Sequence, residues 1–548
     1  MRRYRTAVFG NFMRATLVAV LTMFAHACVL AQVEPVPGSL HTTGPNAFVT
    51  GLGRIADLAI GTGGNGASAI RAQPDGKVII AGTCTGGAGN NDFCLARLNT
   101  DGSLDATFVG PAGNGGGKFS LAVGLSQDTL TSVFVQPDQK IVLAGTCDAG
   151  FSNYDFCVVR LLPNGQLDSS FGPFGSGGAF LLPVTLAGDD FLQTALLRPN
   201  GQIVLVGRCV TSLQQFCLAQ LNADGSVDTT FDAGVNANGK LVFSIAADDT
   251  YSTTALLQPD GKLVISGSCT GTVSTNFCAA RLNIDGTFDA DFDGPDSLNP
   301  GNGRFRFALN STTSVATSIA QQADGKLVIA GYCSGGTDLD FCVARLNADG
   351  SFDPMFKGPA GAGAGYFLFA MAVSGNDFAR SVAVQPDGKI VIGGGCAGVA
   401  GKDFCMARLY DDGTFDRSFD GPGGAANGKF LFAVGTPSTG LLDEDAFAMA
   451  LQSDGRLLMA GSCTAPGSTS FCVARLNGGP HAAKQCRLDV DGDGRVGATN
   501  DTLVMTRVMS GQRGTTVITG IGFSANATRK TWPAIRDYLV AHCGLLLQ

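Results

Sequence analysis

The chain has 548 residues, 45% of them hydrophobic and only 15% charged, with 77 glycines and a formal charge of −8. The apolar share allows a large core, and the acidic balance excludes a protein that holds nucleic acid or anionic lipid through net charge. Every acid except Glu34 and Glu444 is an aspartate. Aspartate favours turns where glutamate favours helices, so short strands joined by tight turns are expected.

Residues 1–31 read as a secretory signal. Arg2, Arg3, Arg5 and Arg14 give a positive start, Ala15 to Ala25 is mostly apolar, and Val29-Leu30-Ala31 before Gln32 offers a small-residue cleavage site. The apolar run is too short to span a bilayer, and no later segment qualifies as a membrane span. Cys28 offers the alternative of a lipoprotein cleavage point, although Ala25-His26-Ala27 lacks the leucine such a site wants. Removing the signal takes four arginines and no acids, leaving a formal charge of −12. The expected destination is outside the cell or on its surface, with the periplasm as an option.

One phrase then returns seven times. Gln-Pro-Asp-Gly-Lys is followed by an apolar run ending in Ala-Gly-x-Cys, a short polar loop, and Phe-Cys-x-Ala-Arg-Leu-Asn. The copies begin near Gln73, Gln136, Arg198, Gln258, Gln322, Gln385 and Gln452, about 60 to 67 residues apart. Units of this size cannot bury an apolar face alone, so they must stack or close into a ring. In the fourth unit, Lys240–Ile245 is expected as a first strand and Ser252–Gln258 as a second, with Pro259-Asp260-Gly261 as the turn. Lys262–Gly267 follows as a third strand and Phe277–Leu282 as a fourth. Four antiparallel strands in each of seven units predict an all-β fold, a seven-bladed β-propeller over residues 32–478. A parallel β-helix is the rival, but its coils are usually much shorter.

The chain ends argue for a ring. The last copy stops at Arg475-Leu476-Asn477-Gly478 without the usual Asp-Gly-Ser-Leu-Asp ending. Gly38-Ser39-Leu40, followed by Arg54–Ile60, supplies a similar piece. Residues 38–73 thus read as the missing tail of one unit plus the first two strands of the next.

Fourteen of the 17 cysteines form seven pairs in the repeats. They are Cys84 with Cys94, Cys147 with Cys157, Cys209 with Cys217, Cys269 with Cys278, Cys333 with Cys342, Cys396 with Cys405, and Cys463 with Cys472. Each pair flanks a hairpin loop, which places its members face to face at disulfide distance. Metal binding is the alternative, but two thiolates need further ligands and the repeats hold no histidine. Behind a signal peptide, disulfides are the reading.

The repeated polar residues carry two readings. Arg97, Arg160, Arg281, Arg345, Arg408 and Arg475 recur in one strand, where the third copy has Gln220. Asp105, Asp168, Asp228, Asp289, Asp353 and Asp416 recur after the glycine turn. They form either a ring of charge around a channel or one brace per blade, and a group present in every blade rarely makes one asymmetric active site. The lysine after each Asp-Gly turn reads as a solvated strand end. His41, His481 and His542 are the histidines beyond the signal, none inside residues 73–476, which removes the usual general base from the ring. The only tryptophan, Trp532, lies outside the ring too, which weakens a sugar-binding reading. An exported, non-catalytic interaction or structural module that binds a protein or surface ligand is expected; a hydrolase using aspartate pairs is the alternative.

The phrase Gln-Pro-Asp-Gly-Lys, an apolar run with Ala-Gly, then Asp-Phe-x-Ala-Arg-Leu-Asn-x-Asp-Gly-Ser-Leu-Asp-x-x-Phe, resembles the delta-60 repeat family of bacterial surface and secreted proteins. The resemblance covers about residues 38–478 and implies a propeller-like domain in an exported protein. The paired cysteines are an elaboration on that pattern.

Residues 479–548 break from the repeat. Asp489-Val-Asp491-Gly-Asp493-Gly494-Arg495 matches the start of a calcium loop, D-x-D-x-D-G. Alternating aspartates put three carboxylates on one side of a turn that Gly494 bends, and the Arg495 carbonyl is the next ligand. Asn500 is twelfth, so a one-residue expansion is needed for Asp501 to close the site. An Asp-Gly surface turn without metal is the alternative. Helices are expected over Leu503–Met509, stopped near Gly511, and over Trp532–Ala541. The segment resembles the calcium-binding half of a dockerin or an EF-hand-like domain, which implies one calcium ion. Cys486 and Cys543 bracket it and are expected to pair.

Overall fold

Short β-branched and aromatic runs, punctuated by Gly, Pro and Asp, pair antiparallel with their chain neighbours. The computed structural model builds seven four-stranded sheets from them. It describes residues 39–42, 47–48 and 53–478, less loop residues such as 233–237, 246–249, 295–300, 423–426 and 436–442. Beyond residue 478 it describes Val490, Asp491, residues 500–509 and most of 514–536. The expected signal segment 1–31 with Cys28, the residues Asp489, Asp493 and Arg495, and the expected pair of Cys486 with Cys543 lie outside the described residues.

Blade 1 holds β2 (Asn65–Ala72), β3 (Val78–Thr85), β4 (Asn91–Leu98) and β5 (Lys118–Leu121) in spatial order. Blades 2 to 6 repeat it over 128–182, 189–243, 250–307, 314–369 and 378–432. Blade 7 takes three strands from 443–476 and its fourth from the start of the chain, β1 (Arg54–Leu58). The first strands of successive blades pack side by side, and that of blade 7 packs on β2, which closes the ring.

The strand phase differs from the expectation. Lys240–Phe243 pairs with Gln214–Leu221, so it is the outermost strand of blade 3 and not the first of blade 4. Arg54–Leu58 likewise completes blade 7 instead of opening blade 1. A repeat period does not say where a blade begins, and the velcro connection cuts the ring one strand away from the sequence unit.

The turn chemistry is as read. Gly76 has φ 84° in the turn after β2, where the Gln73 amide meets the Lys77 carbonyl at 2.8 Å. Gln139 holds the same position in blade 2 with φ 67°.

The core lies between blades as seven apolar layers. Phe93 and Leu95 of blade 1, for example, pack against Leu130, Cys147 and Cys157 of blade 2. The glycine of Ala-Gly-x-Cys is needed for this closeness: a Cβ on Gly145 would stand 2.2 Å from the Thr129 carbonyl oxygen and 2.7 Å from the Phe93 ring.

All seven repeat cysteine pairs are joined as disulfides, with Cα–Cα 5.7–5.8 Å. Cys84 bonds Cys94 in blade 1, Cys147 bonds Cys157 in blade 2, and Cys209 bonds Cys217 in blade 3. Cys269 bonds Cys278 in blade 4 and Cys333 bonds Cys342 in blade 5. Cys396 bonds Cys405 in blade 6 and Cys463 bonds Cys472 in blade 7. All fourteen are buried in the layers between blades.

One detail of the expectation is corrected: the bonded cysteines are diagonal neighbours, not directly opposite across the hairpin. Cys84 faces Asp92 while Cys94 faces Gly82. In the same way Cys278 faces Gly267, Cys342 faces Gly331, Cys405 faces Gly394 and Cys472 faces Gly461. The glycine opposite each second cysteine leaves room for the diagonal bond. Each bond closes eight to ten residues and contributes roughly 2–3 kcal/mol in the chain-entropy picture.

The C-terminal segment contains α1 (Asp501–Met509) and a 3-10 turn, Gly514–Val517. Val490, Val504, Val508, Val517, Trp532 and Ile535 share a small apolar cluster. Trp532 and residues 534–536 are helical, and the remainder of the expected second helix lies outside the described residues. No helix among the described residues is long and apolar enough to cross a membrane.

Candidate functional site

The repeated arginines are braces between blades. Arg97 donates through Nε to Asp105 at 2.7 Å, lies with its guanidinium 4.5 Å from the Phe108 ring centre, and donates through Nη1 to the Pro163 carbonyl of blade 2 at 2.5 Å. Arg160 repeats this with Asp168 at 2.8 Å, Phe171 at 4.3 Å and Ala223 O at 2.6 Å. Arg281, Arg345 and Arg408 make the same set with Asp289, Asp353 and Asp416 and the carbonyls of Ala348, Asp411 and Gly478. Both arms of the brace reading therefore hold at once, to carboxylate and to backbone. Neither member of these pairs is more than 8% exposed, so the groups do not present a charged ring to solvent.

The lysines after the turns belong to the brace, contrary to the expectation of solvated ends. Lys77, Lys140, Lys262 and Lys326 reach the same aspartates at 2.8, 3.0, 2.8 and 3.2 Å. Burial alone would raise the pKa of Asp105, but hydrogen bonds from Lys77 and Thr107 and the charge of Arg97 outweigh it and hold the carboxyl far below its usual range.

Two blades depart. In blade 3 glutamine and arginine exchange places: Arg198 stands where other blades have Gln, and its Nε donates to Gln220 Oε1 at 2.9 Å. In blade 7 the aspartate position is filled from the chain start by His41. Its amide meets Arg475 O at 2.8 Å, as that of Asp105 meets Arg97 O at 2.9 Å. Arg475 donates to His41 Nδ1 at 3.1 Å and stacks 4.4 Å from Phe48. Burial first, then Arg456 and Arg475, lower the His41 pKa to about 4. The signal was present in the sequence: Gly38-Ser39-Leu40-His41 aligns with Gly102-Ser103-Leu104-Asp105.

At the other end of the ring, in five of the blades the first strand starts at a side chain that caps the loop before it. Asp128 accepts the Val123 amide at 2.6 Å, Asp190 that of Val184 at 2.6 Å, and Asp377 that of Met371 at 2.7 Å. Glu444 accepts the amide of Gly435 at 2.7 Å, and Asn65 Oδ1 that of Gly61 at 2.9 Å. Burial, then the neighbouring blade's carboxylate, pushes Asp92 up beside Asp128 and Asp155 up beside Asp190. Among the described residues one group combines ligand types at metal-binding range, Asp190 with Cys209 and Cys217. Those cysteines are bonded to each other, so they offer no thiolate.

The same end carries exposed apolar tips. Leu125 and Leu186, in the loops entering blades 2 and 3, are 75% and 108% exposed, and Phe151, at the hairpin tip of blade 2, is 109% exposed. Leu213, at the hairpin tip of blade 3, joins them. Leu125 is held by its amide on Asp148 O at 2.8 Å. Phe151 sits at φ 55°, a conformation side chains rarely adopt.

Of the expected calcium ligands, Asp491 and Asp501 are described. Asp501 Oδ1 accepts the amides of Val490 at 2.6 Å and Asp491 at 2.9 Å, and Asn500 Nδ2 donates to Asp491 Oδ2 at 3.1 Å. Both carboxylates are buried, at 0% and 1% exposure. Buried carboxylate oxygens are the ligand type that suits a hard cation.

The architecture defines a protein of propeller repeats. Seven stretches, 73–108, 136–171, 198–231, 258–292, 322–356, 385–419 and 452–478, match a family described as a domain of unknown function (DUF5122) β-propeller, which supports a propeller repeat family. No curated protein matches it. Among solved structures, a polysaccharide lyase, Uly1, is similar at 12% identity and TM-score 0.44, over 77% of this chain and 91% of that one. A streptogramin B lyase is similar at 12% identity and TM-score 0.39, over 77% and 96%. The β-propeller domain of the Trilobed protease from Pyrococcus furiosus is similar at 9% and 0.36, over 76% and 98%.

Proposed function

We propose that the chain is an exported, non-catalytic propeller that serves as an interaction or structural module outside the cell or on its surface. The observation that carries this is the division of labour between the two ends of the ring. The repeated charges are consumed in braces, while Leu125, Phe151 and Leu186 stand bare on adjacent blades. Exposed apolar side chains on neighbouring blades at one end of the ring favour a protein contact, and Val373, in the loop entering blade 6, adds another at that end. Seven disulfides support export, because such bonds persist in oxidising compartments. The delta-60 resemblance supports a surface role, and the acidic balance speaks against nucleic acid.

The C-terminal segment is read as a dockerin-like module stabilised by one calcium ion. Asp489, Asp491, Asp493, the Arg495 carbonyl and Asp501 would hold it. The ion would neutralise the clustered carboxylates and tie the loop to α1.

The test compares the chain with its L125S/F151S/L186S variant, both immobilised and offered the extracellular and surface proteins of the source cell. The expected result is a discrete partner kept by the first and lost by the second at unchanged melting temperature. Equal retention by both, or hydrolytic turnover that dies with an aspartate substitution in the ring, would remove this reading.

A further inference from the structure

We propose that blade 3 carries a binding site for a guanidinium group supplied by another molecule. The template is internal. In the other six blades a guanidinium lies on a phenylalanine ring and donates to a backbone carbonyl, and in five of these its Nε or Nη2 meets an aspartate. In blade 3 the surroundings are all present: Phe231, Asp228, the Thr230 hydroxyl, and the Ile284 carbonyl at the position of Pro163, Ala223 and Ala348. The guanidinium is not.

Gln220 stands at the arginine position, and a glutamine side chain is an arginine cut off after Nε. Its Nε2 donates to Asp228 Oδ2 at 2.8 Å, as Arg160 Nε does to Asp168 Oδ2 at 2.8 Å. What blade 3 lacks is the amidinium end, one carbon with two nitrogens. A cavity of about 540 Å³ opens there, with Phe231, Thr230 and Asp228 in its wall. Arg198 does not fill it. Its guanidinium turns to Gln220 Oε1 at 2.9 Å and Gly261 O at 2.7 Å, and among the described residues no cation lies over the Phe231 ring.

The charge around the recess asks for a cation. Arg160 and Lys140 both face Asp168, but their counterparts at Asp228 are amides, Gln220 and Gln202, and Asp228 feels the Arg198 charge only from beyond Gln220, where Gln220 Oε1 and Gly261 O hold that guanidinium. Asp260 and Asp285 add two carboxylates to the wall, against Lys262, which Asp289 already holds at 2.8 Å. Ile284, 57% exposed, offers apolar surface for an alkyl stem. A flat guanidinium matches ring, hydroxyl and carbonyl together, whereas an ammonium matches only the charge. The ligand class is therefore an alkylguanidinium, either a small free guanidine or the arginine side chain of a peptide. The site is at the opposite end of the ring from the apolar tips and does not rest on them.

The experiment titrates the full chain with ethylguanidinium, and with ethylammonium at equal ionic strength, by saturation-transfer NMR. A third arm uses the peptide N-acetyl-Gly-Arg-Gly-amide. The reference is R198Q/Q220R, which rebuilds the pattern of the other blades and fills the recess from within. The expected result is saturable ethylguanidinium binding about tenfold tighter than ethylammonium, consistent with the fork geometry of guanidinium, and lost in the double variant. Peptide binding of similar strength supports the site and assigns it to arginine side chains. Exclusion of the peptide with ethylguanidinium still bound supports it and assigns it to small guanidines. No saturable binding to the wild type, no discrimination between the two cations, or undiminished binding in a folded double variant overturns the proposal. The first two results are read on the wild type and do not depend on how the variant folds.

Discussion

Arg475 shows what one residue's identity does to the ring. Five blades give their brace arginine a carboxylate with a depressed pKa, but Arg475 meets a neutral imidazole. Its own pKa falls to about 10, through burial first and then the charge of Arg456. An unfolded His41 takes a proton near the ordinary imidazole value of 6.5, whereas the folded one resists until about 4. The unfolded state thus binds more protons in that window, so stability is lost as pH falls through it. His41→Asp should place a seventh carboxylate on the brace. Its folded pKa, depressed like those of the others, should keep its contribution intact above the unfolded aspartate value and lose it only below. We expect chemical denaturation at pH 7 to show a gain of about 1–2 kcal/mol, as for a completed buried ion pair, and a shallower loss between pH 6.5 and 4. A variant less stable at pH 7, or with an unchanged slope in that window, contradicts this account. The alignment of Gly38-Ser39-Leu40 with the repeat puts His41 at the aspartate position, and only its residue type hides its role. An imidazole does not look like an aspartate until both are seen against the same arginine.

At the scale of elements, what was legible and what was not divide along one line. Local chemistry survives translation: Pro-Asp-Gly made its turn, Ala-Gly-x-Cys and Phe-Cys made a clipped hairpin, and Leu503–Met509 fell inside α1. Pairings between blades did not. Lys240–Phe243 alternates like any amphipathic strand, and nothing local says that its partner precedes it. The acids Asp92 and Asp128 sit on different blades, and the exchange of Arg198 with Gln220 becomes an exchange only once both side chains touch. The proposed calcium loop lies between these cases, since its first half is a local sequence motif and its closure is not. Asp501 opens α1 and receives the amides of Val490 and Asp491, so an ion bound by the proposed set would tie the loop to the helix start. Calcium at about 100 times its dissociation constant should stabilise the segment by roughly 2.7 kcal/mol through mass action. Melting followed by Trp532 fluorescence should rise on titration and fall on chelation, and Asp501→Asn should flatten the response. A wild-type transition indifferent to both calcium and chelator would leave a plain aspartate turn.

For the whole molecule the decisive element is the five-residue strand β1. A ring of seven sheets has no free edge between its blades, but only if the first and last are fastened. The fastening has three parts. Ile55 and Leu58 pair with Val473 and Phe471, Leu40 bridges Leu476, and the Asn477 amide meets Ser39 O at 2.8 Å. Phe48 and Leu58, at 0% and 7% exposure, then fill the layer between blades 7 and 1. Without them that layer is open, and the outer edge of 468–476 is left unpaired. Phe48→Ala and Leu58→Ala should each cost about 2–5 kcal/mol, as large-to-small changes in a packed core do. Removal of residues 32–58 should cost more than the pair together. In hydrogen exchange, protection should drop first at 468–476 and at β2, with blades 3 to 5 following later. If the truncated chain exchanges uniformly and melts with the wild type, the ring is not held at this seam. Its stability would then reside within the blades, where the disulfides are, and the order of unfolding would follow the sulfur bridges instead of the N-terminal strand.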